Sequence, residues 1–211
     1  MNTLKLSIAL ICTAVTALGQ AQTIDCDALA DFSPATIHAT YNICRYTHLE
    51  PQQQVAVAKF TEAENKKYAK MLRADGGLLT NQSLAKLNKF RAAQLAKIMS
   101  KDQLEQYYKG LYDEPAKQES ERLVTYLQDK YNLTDQNCKF IRVAMYEYGI
   151  KSRVAKVLMD GTPKQVNKEI AKMKAHYLKT IEDKGGIRID PDKMTVTEVR
   201  PFDPTGLHYA K

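Results

Sequence analysis

The stretch LTDQNCKFIRVAMYEYGIKSRVAKVLMDGTPKQ, from Leu133 to Gln165, decides the fold class, because a long apolar pattern of helical period lies between two helix-start signals. At a helix start, a hydroxyl or carboxylate side chain caps an unpaired backbone N–H, and an amide three residues later reaches back to the cap residue. Residue pairs with this spacing are Glu50 with Gln53, Ser100 with Gln103, Thr134 with Asn137, and Thr162 with Gln165. The recurring signal predicts a series of helices.

Helical periodicity extends beyond this stretch. Val166, Ile170, Met173, Tyr177 and Ile181 recur at intervals of four, three, four and four, which places them in one stripe of a helix. No comparable run alternates with period two, so we expect an all-α fold of helical hairpins or a bundle, with about six or seven helices. The predicted helices cover about 31–47, 51–74, 81–99, 101–112, 116–131, 135–159 and 163–184, with a break at YDEPA.

The first 21 residues have the pattern of a cleavable secretory signal peptide. Lys5 precedes an apolar run from Leu6 to Leu18, and small residues around Gln20 favour cleavage after Ala21. The run is shorter than the roughly 20 residues that span a membrane. A lipoprotein site at Cys12 is disfavoured, because a bulky isoleucine precedes it. We expect a periplasmic or secreted protein with no transmembrane segment and no contact with nucleic acid.

The composition changes along the chain at glycine and proline clusters and predicts five segments. These are a signal peptide at 1–21, an N-terminal segment with a helix at 22–48, a first helical unit at 49–131, a second at 132–184, and a C-terminal tail at 185–211, either extended or folded as a small β-hairpin. The formal net charge of +7 becomes +6 without Lys5, the only charged residue of the leader. This charge favours acidic surfaces or acidic protein segments.

Three cysteines remain in the expected mature chain: Cys26, Cys44 and Cys138. An exported protein can oxidise them. A disulfide between Cys26 and Cys44 would close a short loop, stabilising the N-terminal segment by roughly 3 kcal/mol. The alternatives are a Cys44–Cys138 disulfide or no disulfide.

Known catalytic and metal-binding motifs are missing from the sequence. The histidines form no HExxH or Glu-x-x-His arrangement, and no P-loop, GxSxG, GxGxxG or CxxC occurs. We therefore predict a protein that is not an enzyme, with no catalytic residues, metal ligands or cofactor. An unusual helical site built on carboxylates is the remaining enzymatic hypothesis.

The predicted helix from Asp135 carries an apolar arc wider than the ~100° that a surface helix needs. Such an arc packs against two neighbours or leaves apolar surface exposed. The sequence therefore predicts either a central core helix or a binding face on this helix, formed by Phe140, Val143, Ile150, Val154 and Val157. Four tyrosines are a second candidate for an apolar face: Tyr107, Tyr108, Tyr146 and Tyr148.

The segments LEPQQ at Leu49–Gln53 and LTDQN at Leu133–Asn137 resemble the leading motif of the LTxxQ-motif (Spy/CpxP-like) family of bacterial periplasmic proteins. The segments Ile98–Leu111 and Gly161–Ile170 resemble its trailing motif. The resemblance implies a tandem of helical hairpins, a homodimer, and an ATP-independent chaperone or envelope-stress factor that holds unfolded clients. On that hypothesis the clients bind the apolar face. The alternative is a structural or protein-interaction module of the envelope.

Overall fold

The computed structural model describes residues 24–198, and 75% of these residues are helical. The described helices are α1 (Pro34–Cys44), α2 (Pro51–Ala74), α3 (Asn81–Ile98), α4 (Lys101–Tyr131), α5 (Asp135–Leu158) and α6 (Pro163–Gly185). They are followed by strands β1 (Ile187–Asp190) and β2 (Thr195–Glu198). The predicted all-α fold with a small C-terminal hairpin is confirmed. The predicted signal peptide and residues 199–211 of the tail lie outside the described residues.

The helices begin where the capping signals predict them. Thr134 Oγ1 accepts a hydrogen bond from the Asn137 N–H at 3.2 Å, which starts α5. At the start of α6, Gln165 Oε1 accepts from the Thr162 N–H at 2.8 Å while Thr162 Oγ1 accepts from the Gln165 N–H at 3.4 Å. Each pair satisfies backbone donors that the first turn leaves unpaired. Local side-chain chemistry therefore defines the ends of these helices.

The predicted break at YDEPA is wrong, because α4 continues through Pro115 as one helix of 31 residues. Proline has no N–H, so the carbonyl of Leu111 lacks its usual hydrogen bond within the helix. The helix continues because apolar residues on both sides of the proline are buried, among them Leu104 and Tyr108 before it and Ala116 and Val124 after it. Burial of a continuous helix outweighs one local penalty of roughly 3 kcal/mol.

The described residues form two compact units, 24–110 (unit 1) and 111–198 (unit 2), whose border falls inside α4. In unit 1, α1 packs against α2 and α2 against α3. The buried apolar residues of this unit include Leu29, Val57, Leu95 and Tyr107. This border precedes the predicted one at 131/132, because the second half of α4 packs into the core of the second unit.

Unit 2 combines that half of α4 with α5, α6 and the hairpin. Its core includes Leu127 from α4, Ile141 from α5, Ile181 from α6 and Ile187 from β1. Gly186 ends α6 in the left-handed conformation, with φ of 67°, which turns the chain into β1. The strands pair antiparallel, with Asp190 opposite Thr195. Ile187 and Ile189 are buried, whereas Arg188 between them is exposed, so one face of β1 covers the helices.

The predicted Cys26–Cys44 disulfide is wrong. Cys44 and Cys138 are both free and buried, which also excludes the alternative disulfide between them. Cys44 ends α1 with its side chain fully buried in the core of unit 1. The short separation of the two cysteines in the sequence does not record the direction of the Cys44 side chain. Burial raises the pKa of the Cys44 thiol to about 12.

Candidate functional site

A groove of about 460 Å³ lies between α5 and α6 in unit 2, and we call it the α5–α6 groove. Helix α5 contributes positions separated by three or four residues, which share one helix face. Helix α6 contributes a second face of the same kind. The lining residues are Lys139, Phe140, Val143, Ala144, Glu147 and Lys151 from α5, and His176, Tyr177, Thr180, Ile181 and Lys184 from α6.

The floor of the groove is apolar. Ala144, Tyr177 and Ile181 are nearly fully buried, whereas Phe140 is half-buried. Val143 is 49% exposed and lines the groove beside Phe140. Burial of Val143 under a bound molecule would therefore contribute favourable free energy that the isolated protein does not realise.

A polar network closes one end of the groove. Tyr177 donates its hydroxyl hydrogen to Glu147 Oε2 at 3.0 Å, and Lys151 Nζ lies 2.5 Å from the Tyr177 oxygen and 3.4 Å from Glu147 Oε2. The hydrogen bond to Tyr177, with a smaller contribution from Glu147, raises the pKa of Lys151. Lys151 is therefore held in place as a cation at neutral pH.

The rim of the groove is basic. Lys139, Lys151 and Lys184 face a single carboxylate, Glu147, so three positive charges oppose one negative charge. Lys151 pairs with Glu147, whereas the ion pairs among the described residues do not include Lys139 or Lys184. These two exposed lysines remain available to an acidic ligand.

The structure places the five residues of the predicted binding face in two environments. Phe140 and Val143 line the α5–α6 groove, whereas Ile150, Val154 and Val157 are half-buried and do not line it. The α6 side of the groove was missed, because the sequence placed Tyr177 and Ile181 in one apolar stripe of a helix without indicating a binding face. The available signal was that Ile181 lies four residues after Tyr177 and three before Lys184, so that the three share one helix face.

The tyrosines considered as an alternative face have other roles. Tyr107 and Tyr108 are each 4% exposed and belong to the core of unit 1, with ring centroids 4.9 Å apart. Tyr146 is half-buried, and its hydroxyl donates a hydrogen bond to Asp113. Tyr148 is half-buried beside Tyr177, with centroids 6.4 Å apart. These tyrosines do not form one exposed surface.

Two glutamines of the helix-start signals contact each other in unit 1. The side-chain amides of Gln53 and Gln103 form two reciprocal hydrogen bonds of 3.0 Å, which we call the glutamine pair. Gln53 Nε2 also donates to the Ile98 carbonyl at 2.7 Å, and Gln103 Nε2 donates to the His48 carbonyl at 2.8 Å. The capping motifs at the starts of α2 and α4 are therefore in direct contact in the folded protein.

Two further kinds of site, a metal centre and a membrane-spanning helix, are assessed for residues 24–198. Residues 24–198 contain no cluster of three or more histidine, cysteine or acidic side chains arranged to hold a metal ion. Within the same range, none of the helices combines the length and the apolar character that crossing a membrane requires. Comparison with protein-family models, with curated proteins and with solved structures finds no match for this chain.

Proposed function

We propose that this protein is an exported, non-enzymatic binding protein that holds unfolded protein segments in the α5–α6 groove, as an ATP-independent chaperone or envelope-stress factor. The observation that carries the proposal is a partly exposed apolar floor beneath a basic rim. An unfolded segment offers apolar side chains for Phe140 and Val143. The occupant we infer is a segment that also carries carboxylates, because Lys139 and Lys184 have no ion-pair partner among the described residues.

The resemblance to LTxxQ-motif periplasmic proteins belongs to this proposal. The glutamine pair supports it, because Gln53 of the leading motif and Gln103 of the trailing motif are hydrogen-bonded to each other. The two motifs therefore contact each other in addition to capping their own helices, which helix capping alone does not require. A homodimer and a periplasmic location remain parts of the proposal that follow from the resemblance and from the leader sequence.

The test is suppression of aggregation of an acidic, unfolded model protein, followed by light scattering. We expect Val143→Asp to raise the concentration needed for half-suppression by about fivefold, because burial of the exposed half of this valine contributes roughly 1 kcal/mol. Lys139→Glu with Lys184→Glu should weaken suppression of the acidic client more than that of a basic client, and added salt should reduce the difference.

The matched control is Tyr126→Asp, which replaces another exposed large apolar residue of unit 2, 41% exposed, outside the groove. It should leave suppression unchanged, and circular dichroism should show that all variants remain helical. Equal loss in Val143→Asp and Tyr126→Asp, or no suppression by the wild-type chain, would contradict the proposal. Capture of one stoichiometric envelope protein, with no effect on unfolded clients, would favour the structural or interaction module.

A further inference from the structure

The distal end of the α2–α3 hairpin in unit 1, residues 66–89, exposes an unusual amount of apolar surface, and we call this segment the hairpin tip. Among the described residues, five large apolar side chains are exposed, and three of them lie here: Tyr68, Leu78 and Leu84. Leu78 is 81% exposed in the loop between the two helices. Apolar exposure concentrated at one end of a hairpin is typical of an interaction site.

Hydrogen bonds fix the loop that carries Leu78. The Gly77 N–H donates to the Leu72 carbonyl at 2.8 Å, and the Thr80 N–H donates to Asp75 Oδ2 at 2.9 Å. Gly76 and Gly77 have φ of 74° and 98°, a region that glycine adopts readily. Side-chain and backbone hydrogen bonds from Ser83 and Thr80 lower the pKa of Asp75, so this carboxylate stays ionised within the loop. The loop therefore presents Leu78 to solvent in a defined conformation.

The hairpin tip is strongly basic. On α2, Lys66, Lys70 and Arg73 are exposed at intervals of four and three, and so share one face. On α3, Lys86 and Lys89 are also exposed. With Lys67, whose Nζ lies 4.1 Å from the centroid of the Phe90 ring, the tip carries six cations and one carboxylate, a net charge of +5. Most of the formal charge of +7 is therefore concentrated in this segment.

We propose that the hairpin tip binds the surface of an anionic phospholipid bilayer, with Leu78 inserted below the headgroups. Dispersed lysines attract an anionic lipid surface, and their alkyl stems lie along apolar surface while the ammonium groups remain at the headgroups. A protruding leucine needs an apolar layer beneath the negative charge, which a bilayer supplies. The proposal rests on unit 1 alone and does not depend on client binding in the α5–α6 groove.

The experiment uses the absence of tryptophan from the chain. Leu78→Trp introduces a single fluorophore at the tip of the full chain. Vesicles of phosphatidylcholine alone are compared with an equimolar mixture of phosphatidylcholine and phosphatidylglycerol. We expect a blue shift and protection from an aqueous quencher only with the anionic vesicles, and loss of both at 1 M salt, where the screening length is about 3 Å. The run Leu6–Leu18 is present in the tip variants and in the control variant alike, so a difference between them reports on the tip.

Charge variants test the role of the lysines. In the Leu78→Trp background, Lys66→Glu with Lys70→Glu and Lys86→Glu should lower the partition coefficient about a hundredfold, at about fivefold for each lysine near the surface. The matched control reverses Lys59, Lys97 and Lys101, exposed lysines of unit 1 outside the tip. Lys59 lies about 22 Å along α2 from Ala74, beyond two screening lengths, so the control should stay within about threefold of its parent.

Two results would overturn the proposal. One is an unchanged emission spectrum of Leu78→Trp with anionic vesicles, which would leave an acidic protein as the partner of the tip. The other is an equal loss of binding in the tip variant and in the control variant. Val143→Trp provides a fluorophore in the α5–α6 groove, and its emission should not shift with vesicles. Because the tip variants should still suppress aggregation, failure here is distinguishable from failure of the proposed function.

Discussion

The two units are both helical but differ in how polar groups are placed. Unit 1 has partly buried polar contacts between helices: the glutamine pair joins two capping motifs, and Arg91 on α3 binds Glu64 on α2 through two hydrogen bonds of 2.7 and 2.9 Å. In unit 2, Gln165 bonds within its own cap, and the groove keeps its lysines at the rim. The helix-start glutamines of unit 1 therefore take part in interhelical packing, whereas Gln165 of unit 2 serves its own helix cap.

The largest difference is expected between two arginines of equal exposure. The Arg91 side chain is 41% exposed and its partner Glu64 is 9% exposed, whereas Arg142 is 42% exposed and its partner Glu121 is 43% exposed. Removal of Arg91 leaves a buried carboxylate uncompensated, so Arg91→Ala should lower the free energy of unfolding by about 3 kcal/mol. Arg142→Ala breaks a solvated pair and should cost less than about 1 kcal/mol.

Urea denaturation followed by circular dichroism measures both values, with the slope of the transition compared between variants. Glu64→Gln in the Arg91→Ala background is the informative control, because it removes the uncompensated charge and should recover part of the loss. Equal destabilisation by Arg91→Ala and Arg142→Ala would show that burial of the partner carboxylate does not distinguish the units.

A smaller difference is expected between the glutamines. Gln53→Ala removes hydrogen bonds to the Ile98 carbonyl, the Gln103 amide and the Glu50 N–H, and should cost about 2 kcal/mol. Gln165→Ala removes only the contacts of an exposed cap and should cost about 0.5 to 1 kcal/mol. The midpoint of urea unfolding gives the two values. If Gln165→Ala proved as costly as Gln53→Ala, the glutamine pair would contribute no more than a cap.

Double-mutant analysis sharpens the same comparison. Gln53→Ala and Gln103→Ala should be less than additive when combined, because each removes the shared amide contact. Gln53→Ala with Gln165→Ala should be additive, because these residues have no common partner. Additivity in both combinations would contradict the interhelical role of the glutamine pair.

The sequence predicted what depends on local chemistry. Thr134 and Thr162 start helices because a cap requires only a hydroxyl and the next turn of backbone. The continuity of α4 through Pro115 was not predictable, because it depends on the burial of residues on both sides of the proline. Similarly, Cys44 is directed by α1 into the core, and no spacing of cysteines records that direction.

Of the two sides of the candidate site, only the α5 side was predictable from the sequence. The width of the apolar arc on α5 pointed to Phe140 and Val143, since a wide arc predicts either a second neighbour or an exposed face. The α6 half was not predictable, because Tyr177 both packs in the core and lines the groove. The glutamine pair was hidden for a related reason: the signals at Gln53 and Gln103 were visible, but their meeting depends on tertiary packing.

The smallest expected difference concerns the two buried thiols, Cys44 in unit 1 and Cys138 in unit 2. Burial raises the pKa of both thiols, that of Cys44 to about 12. Only the thiolate reacts with an alkylating reagent, so both should react slowly at pH 8.

Cys138 should react several-fold faster than Cys44, because the guanidinium of Arg142 partly offsets the burial effect at Cys138. Since a pKa of about 12 leaves the Cys44 thiol protonated below pH 9, its rate should increase about tenfold per pH unit between pH 7 and 9. Mass spectrometry of iodoacetamide-treated protein assigns the label to each cysteine, and faster labelling of Cys44 would show that unit 1 opens more readily than its interhelical polar contacts imply.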